Sequence, residues 1–403
     1  MSWQDNPPYE IGILTDSNSW SGITANDYIN GLLTGGGWGN KNPDDGNITS
    51  LLYYFVPDGL YELGTDNYFT YSWENFEKVA IADSMDAFSD VANITFTETD
   101  NLVDANIKWA LLNNVDSEGG YGWAYTPNAG SYSGITTLNW ESYYSFGDQA
   151  LNPGSYYHLT LLHELGHSLG LEHPHESNSY YGAFPGVSDG IVGDSGDNQL
   201  NGSPWTVMTY NDLDPDIGYT PDSEELSGFL TGLGAFDIAA IQYLYGANES
   251  TNSGDDVYEL TSSLKGFKCI WDVGGNDTID ASNASRASSI DLRNASLENE
   301  VGGGGYISQI GTKSLGYTIA YNSTGNCIIE NAIGSDHSDN LRGNFADNIL
   351  EGGAGADTLL GASGADKLYG GLGKDTLKGG ISNDKLYGGL GNDSLVGGSG
   401  EDT

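Results

Sequence analysis

Cysteine and positive charge are both scarce in this chain. Cys269 and Cys327 are the only two cysteines among 403 residues, too few for a disulfide framework. Each precedes an apolar pair, Ile270-Trp271 and Ile328-Ile329. That places each in or near a strand and leaves open either one bridge or two buried thiols. Lys and Arg together number 13 against 56 Asp and Glu, a net charge of −43, so nucleic acids and anionic membranes are poor partners. The shortage is uneven: residues 1–253 carry 35 of the acidic residues but only Lys41, Lys78 and Lys108 as bases. No apolar run reaches 18 residues, so no transmembrane helix or membrane insertion is expected. Met1-Ser2-Trp3-Gln4-Asp5 lacks the basic start and apolar core of a Sec signal. Methionine occurs three times, which gives weight to the place where one stands.

What the chain does contain is concentrated in His163-Glu164-Leu165-Gly166-His167-Ser168-Leu169-Gly170-Leu171-Glu172-His173-Pro174. His163 and His167, four apart, share one face of a helix. Neutral imidazoles ligate zinc at roughly 2.0–2.1 Å, so two stacked histidines reach one ion. Gly170 ends the helix where a residue without Cβ bends most easily, and the returning chain delivers His173 as third ligand. Three protein ligands leave a fourth position for water, the pattern of a catalytic rather than a structural site. Glu164 stands beside the first ligand as general base for that water. The bland alternative is an ordinary amphipathic helix, but H-E-x-x-H-x-x-G-x-x-H is the metzincin signature. That signature implies a tight turn carrying Met beneath the metal, and Thr206-Val207-Met208-Thr209-Tyr210 supplies one. Alone, Met208 would read as a plain core methionine.

Residues 1–250 read as a mixed α and β catalytic domain and 251–403 as a second, all-β domain. Helices are expected at Thr24–Leu33, capped by Thr24 or Asn26, at Glu74–Phe88 with Phe76, Val79, Ala80 and Met85 on its apolar face, at Thr160–Leu169 and at Ala235–Leu244. Ile94–Thr97 and Ala105–Trp109 alternate like half-buried strands. His175 to Trp205 reads as a long surface loop. From Gly334 a nine-residue period sets in: Asp357, Asp366, Asp375, Asp384 and Asp393 fall nine apart, as do Leu359, Leu368, Leu377, Leu386 and Leu395. Such a period is the mark of a parallel β-roll of RTX type. The leucines point into a narrow core. Calcium takes hard oxygens from the Asp carboxylates and from turns holding Gly353, Gly355, Gly371, Gly373, Gly389 and Gly391. The compositional alternative is a flexible Gly/Asp-rich tail, which strict phase over five repeats disfavours.

Taken together, these segments resemble the serralysins, secreted zinc endopeptidases of RTX type. Asp90–Glu98 is similar to the family's strand after its long helix, Asp237–Ala247 to its domain-closing helix, and Trp271–Thr278 to the opening of its calcium-binding domain, where Asp277 becomes a further calcium ligand. Gly122–Pro127 resembles the edge strand on which family substrates pair by β-augmentation, which points to Ala124 and Tyr125 as substrate-binding residues. In that family a Tyr two residues after the Met reaches the metal or the transition-state oxyanion, and Tyr210 holds that position. The fold implied is an α+β metzincin-like zinc protease domain followed by an all-β calcium-binding parallel β-roll, with one catalytic Zn²⁺ and several structural Ca²⁺. The function implied is hydrolysis of peptide bonds in extracellular proteins. The resemblance also implies a monomer, protein or peptide substrates, a proteinaceous inhibitor, and type I secretion from a Gram-negative-type bacterium. The chain stops inside a repeat at Thr403, so a C-terminal truncation is expected.

Two other classes compete. Gly186-Val187-Ser188-Asp189-Gly190 formally matches the G-x-S-x-G nucleophile elbow, which needs a strand before it and a helix after it. The repeats alone would also suit a non-enzymatic calcium module. His158, His175 and His337 lie outside the zinc motif and read as surface or ordinary packed histidines.

Overall fold

The computed structural model describes residues 26–35, 37–38, 47–113, 121–177, 182–211, 227–312 and 315–403. The first half is built on a five-stranded sheet in the order Ile94–Glu98, Thr49–Phe55, Ile107–Leu112, Ile135–Asn139, Gly122–Ala124. The first four strands are parallel and the last, at the edge, is antiparallel. Ile107–Leu112 and Ile135–Asn139 lie mid-sheet and are buried almost throughout, as parallel strands covered on both faces must be. The strand expected at Ala105–Trp109 runs later because Asn106 uses its side-chain oxygen to accept from Leu52 N.

The helices follow the sequence with local corrections. Asn75–Ser89 opens with a capping box in which Glu74 N donates to Glu77 Oε2 at 2.7 Å. Ala80, Ile81, Met85 and Phe88 form its buried stripe, whereas Val79, expected on that stripe, is half exposed. The motif helix runs Tyr156–Leu169, four residues earlier than the apolar pattern indicated, because Ser155 Oγ accepts from His158 N. Gly170, at φ 110°, stops it. Ala235–Tyr245 is the third long helix. The helix expected at Thr24–Leu33 is a short one, Asp27–Gly31, capped by Asn26; Thr24 lies outside the described residues.

From Val257 onward the described chain is all β, wound into one six-stranded and one eight-stranded sheet. Most pairs are parallel; Ser308–Ile310 is antiparallel to both neighbours. Consecutive nine-residue repeats alternate between the two sheets, so the strands that pair lie 18 apart. Leu350, Leu368 and Leu386 form one ladder and Leu341, Leu359, Leu377 and Leu395 the other. Both ladders point inward. Burial is complete from Leu350 to Leu377, and Leu395 is 46 % exposed.

Residue 250, where the sequence places a boundary, lies between the helix ending at Tyr245 and the strand starting at Val257. The hydrophobic core crosses it without a break, joining Phe229, Phe236 and Leu244 to Phe267, Trp271 and Ile319. Cys269 and Cys327 sit in this shared core as two free, buried thiols.

Candidate metal centre, edge strand and calcium cradles

The motif helix and the turn after Gly170 bring three imidazoles together. His163 Nδ1 lies 2.8 Å from Val207 O and His167 Nδ1 lies 2.9 Å from Leu171 O. A carbonyl only accepts, so each Nδ1 must carry the proton, and each Nε2 lone pair is free. The Nε2 atoms of His163, His167 and His173 form a triangle with sides of 3.0–3.1 Å. Tetrahedral ligation at about 2.0–2.1 Å separates ligand nitrogens by about 3.3–3.4 Å, so this triangle fits zinc with a small expansion. Burial pushes His163 down to about 3 and His167 to about 4, and it also lowers His173, which its histidine neighbours depress further. All three are therefore neutral near pH 7 and could hold one metal ion. His173 has no carbonyl acceptor at Nδ1; Glu176 Oε1 at 3.5 Å and Glu172 Oε1 at 3.6 Å flank it.

Glu164 points into the same space. Its Oε2 is buried with no hydrogen-bond partner among the described residues, and burial pushes the carboxyl up to about 8. A carboxylate in that state lacks a cation or a proton donor. Gly122 of the edge strand closes over it: a Cβ there would stand 3.2 Å from Glu164 Cγ and 2.6 Å from Thr137 O. Met208 is fully buried beneath the helix, and a Cβ on Gly166 would stand 2.7 Å from its Sδ. Gly166 thus lets the turn press against the helix between the two ligands. The Tyr210 ring lies 5.3 Å from that of His163 at 24°, and 4.7 Å from that of His173. Its hydroxyl is raised by burial first and then by Glu164, which keeps it a donor.

The sequence did not point to Gly122, Gly166 or Asp237 in these roles. The two glycines act by absence of a side chain, which no motif spacing reveals. Asp237 is buried at the start of the third helix and accepts from Val207 N at 2.7 Å and Gly234 N at 2.8 Å. His158 and His175 are packed and His337 is exposed, as expected for residues outside the motif. His175 nevertheless borders the site, its ring 5.1 Å from that of His173.

Among the described residues, Gly122–Ala124 has a neighbour on one side only. Tyr121 O accepts from Asn139 N and Tyr125 N donates to Ile135 O, so alternate residues bond inward and Gly122 and Ala124 turn their main-chain groups outward. Ala124 is thus placed to pair with an added strand. Tyr125 is not, since Gly134 N also donates to its carbonyl; its ring lies 5.2 Å from that of Trp123.

The repeats form a second kind of site. Oδ1 of Asp357, Asp366, Asp375, Asp384 and Asp393 accepts from the backbone N of the residue 18 earlier at 2.8–3.0 Å. Oδ2 of the first four is buried without a partner. Gly353, Gly355, Gly371, Gly373, Gly389 and Gly391 all have positive φ, which fits tight turns that present carbonyls to one side. Buried carboxylate oxygens beside such turns fit Ca²⁺, a cation that takes six to eight oxygens. Burial, with the neighbouring carboxylates, raises Asp357 to about 6 and Asp366 to about 7. Matching turns exist in the other sheet, where Ala362 at φ 81° and Ser382 at φ 88° occupy glycine-like positions. The Gly-Gly pairs at 379–380 and 397–398 mark that half in the sequence, and Ala362 and Ser382 are its departures from glycine. Asp277 clusters with Asp256 and Asp272. Its Oδ2 is also buried without a partner, and burial and Asp272 help raise it to about 7.

Ser188 of the G-x-S-x-G match is exposed in a turn, with no strand before it and no helix after it among the described residues.

The fold and its histidine cluster define a peptidase-type metal domain joined to a calcium-binding roll. Family models agree: the Matrixin peptidase family matches residues 62–184, and the RTX calcium-binding nonapeptide repeat matches 333–368 and 369–403. Zinc and calcium are the cofactors these two regions carry. Among individual relatives the chain is similar to serralysins. It is 35 % identical to the serralysin of Proteus mirabilis over 259 residues, 58 % of this chain and 49 % of that protein. It is 38 % identical to serralysin C of Dickeya chrysanthemi over 242 residues, 55 % and 46 %. It is 33 % identical to metalloprotease AprA of Pseudomonas entomophila over 312 residues, 71 % and 59 %. The chain spans about half the length of the curated relatives it matches.

Proposed function

We propose that this protein is a secreted zinc-dependent endopeptidase of serralysin type that hydrolyses peptide bonds of extracellular proteins, with calcium holding its C-terminal roll. The observation that carries this reading is the convergence of three neutral Nε2 atoms beside a buried, unpartnered carboxylate, under an open strand edge. His163, His167 and His173 would hold the zinc, which when bound acidifies water to a pKa near 7 and polarises a carbonyl. Glu164 Oε2 takes the proton of the attacking water and passes it to the leaving amine nitrogen. The Tyr210 hydroxyl donates to the oxyanion that develops on the scissile carbonyl. Gly122 and Ala124 align the substrate main chain as an added antiparallel strand, which favours an extended peptide over a folded loop.

The relatives' names support a protein substrate. Type I export, a monomeric state and control by a protein inhibitor complete the proposal. No helix of the described residues is long and apolar enough to cross a membrane. The test is casein cleavage at saturating calcium, with and without 1,10-phenanthroline. Cleavage abolished by the chelator and restored by zinc is the expected result. A folded, zinc-loaded chain that leaves casein intact would sink the proposal and favour a calcium-binding module without enzymatic activity.

A further inference from the structure

Asp237 is fully buried, and no cationic group lies among the causes that shift its ionisation. Its carboxylate is instead satisfied by three neutral donors: Val207 N and Gly234 N on Oδ2, and the Thr206 hydroxyl on Oδ1 at 2.5 Å. The third of these leads onward. Thr206 Oγ1 accepts from Met208 N at 3.0 Å. The other end of the Val207–Met208 peptide, Val207 O, faces His163 Nδ1 at 2.8 Å. One buried carboxyl group is thus connected through a hydroxyl and a single peptide to the proton of the first histidine. Each donor in such a chain is polarised by the next acceptor, so the terminal carbonyl becomes a stronger acceptor. His167 has no such line: the peptide behind its acceptor, Leu171 O, runs from Glu172 N to the backbone carbonyl of Leu32.

We propose that Asp237 is a positioning residue for His163, acting through Thr206 and the Val207–Met208 peptide to fix the imidazole and strengthen its Nε2 as a zinc donor. The proposal rests on the zinc-site reading above. It assigns the Met208 turn a task beyond packing, since the same peptide that places Met208 under Gly166 also sets the ligand. Partners one step removed from a metal are typically worth 10–100-fold in affinity.

The test is the zinc dissociation constant of the full chain, measured by chelator competition at fixed pH and saturating calcium. Thr206→Val removes the hydroxyl and leaves both backbone donors on Asp237. It is expected to weaken zinc binding about tenfold or more, and Thr206→Ser is expected to restore it. A residue that only supported the fold would lower the melting temperature of the metal-free chain without a hydroxyl-specific change in affinity. Wild-type zinc affinity in folded Thr206→Val, or equal weakening in the Val and Ser variants, overturns the proposal. If the Val variant does not fold, Thr206→Ala removes the same hydroxyl with less crowding and decides by the same criterion. Peptidase activity is a separate readout. A hydroxyl-dependent loss of affinity supports the relay even where the wild-type chain cleaves nothing, an outcome that would end only the functional reading.

Discussion

The two metal-binding regions of this chain solve opposite problems. In the N-terminal half the candidate donors are neutral imidazoles: His163 and His167 on one helix, held by carbonyls at 2.8 and 2.9 Å, and His173 just past its end. That site is arranged before any ion arrives, and burial, reinforced by the neighbouring imidazoles, keeps its donors uncharged. In the roll the candidate ligands are carboxylates, stacked every 18 residues, and from Asp357 to Asp384 each has one oxygen tied to backbone and one without a partner among the described residues. There the metal must supply the charge that makes the geometry tolerable. A preformed site demands stability from its surroundings; a charged one lends stability to its surroundings once filled.

The sharpest test of this contrast is Glu164→Gln. It should lower peptidase turnover by about 10²–10⁴-fold while leaving zinc content, read by elemental analysis, unchanged. Unchanged turnover would remove Glu164 from the chemistry.

Calcium withdrawal should strike the other region. With EGTA, β-sheet circular dichroism and protease resistance should fall for residues 334–403, at a cost of about 2.7 kcal/mol for each site filled at a hundred times its dissociation constant. The zinc helix should keep its amide protection in hydrogen exchange. Equal loss in both halves would mean that the continuous core through Phe229, Phe267 and Trp271 couples them into one folding unit.

The pH response should separate them again. Asp357 and Asp366 sit at about 6 and about 7 in the fold, against about 3.9 in an unfolded chain. Below about pH 4 both states are protonated and the calcium-free roll keeps the stability that these raised values represent. That stability is lost as the pH rises through 6 and 7, because the folded roll must then ionise buried carboxylates. Melting temperatures of the calcium-free chain should therefore fall from pH 5 to pH 8. With saturating calcium, which binds the ionised form, the trend should reverse. Parallel trends with and without calcium would remove these carboxylates from calcium binding.

The smallest effect is expected at Ala362 and Ser382, both at φ above +80°. Relief of left-handed strain of about 1–2 kcal/mol, less the entropy cost of glycine of about 0.5–1 kcal/mol, leaves Ala362→Gly and Ser382→Gly slightly stabilising. Thermal melts at saturating calcium would show it, and a drop in either variant would mean that those side chains pack productively.

Much of this was legible in the sequence where one residue type recurs at one spacing. The histidine spacing follows from the helix period and the leucine ladder from the nine-residue repeat, while the lone methionine after the motif was picked out by the signature alone. What stayed hidden depends on contacts between distant segments. Asp237 looked like an ordinary first-turn acid, because its partners Thr206 and Val207 are 31 and 30 residues away. Val79 matched an apolar helical spacing yet faces solvent, since the neighbouring stripe of Ala80, Ile81, Met85 and Phe88 already fills the core. Tyr125 lay in the right segment, but strand alternation turned its backbone the wrong way. The nine-residue count was plain, whereas the pairing distance of 18 required knowing that successive repeats go to opposite sheets.

That doubling has a consequence for how the roll can change length. Tyr369 stacks on Tyr387 with ring centres 4.9 Å apart, and Lys367 pairs with Lys385 beside them, all on one outer face. The opposite sheet carries Thr358, Thr376 and Ser394 at the equivalent first positions. Deleting 18 residues would shorten the roll by one coil and keep each face in its own column. Deleting nine would send every later residue to the other side, setting lysines and tyrosines in line with threonines. Growth and loss in such a roll are thus quantised in pairs of repeats, as if the coding unit were twice the visible one.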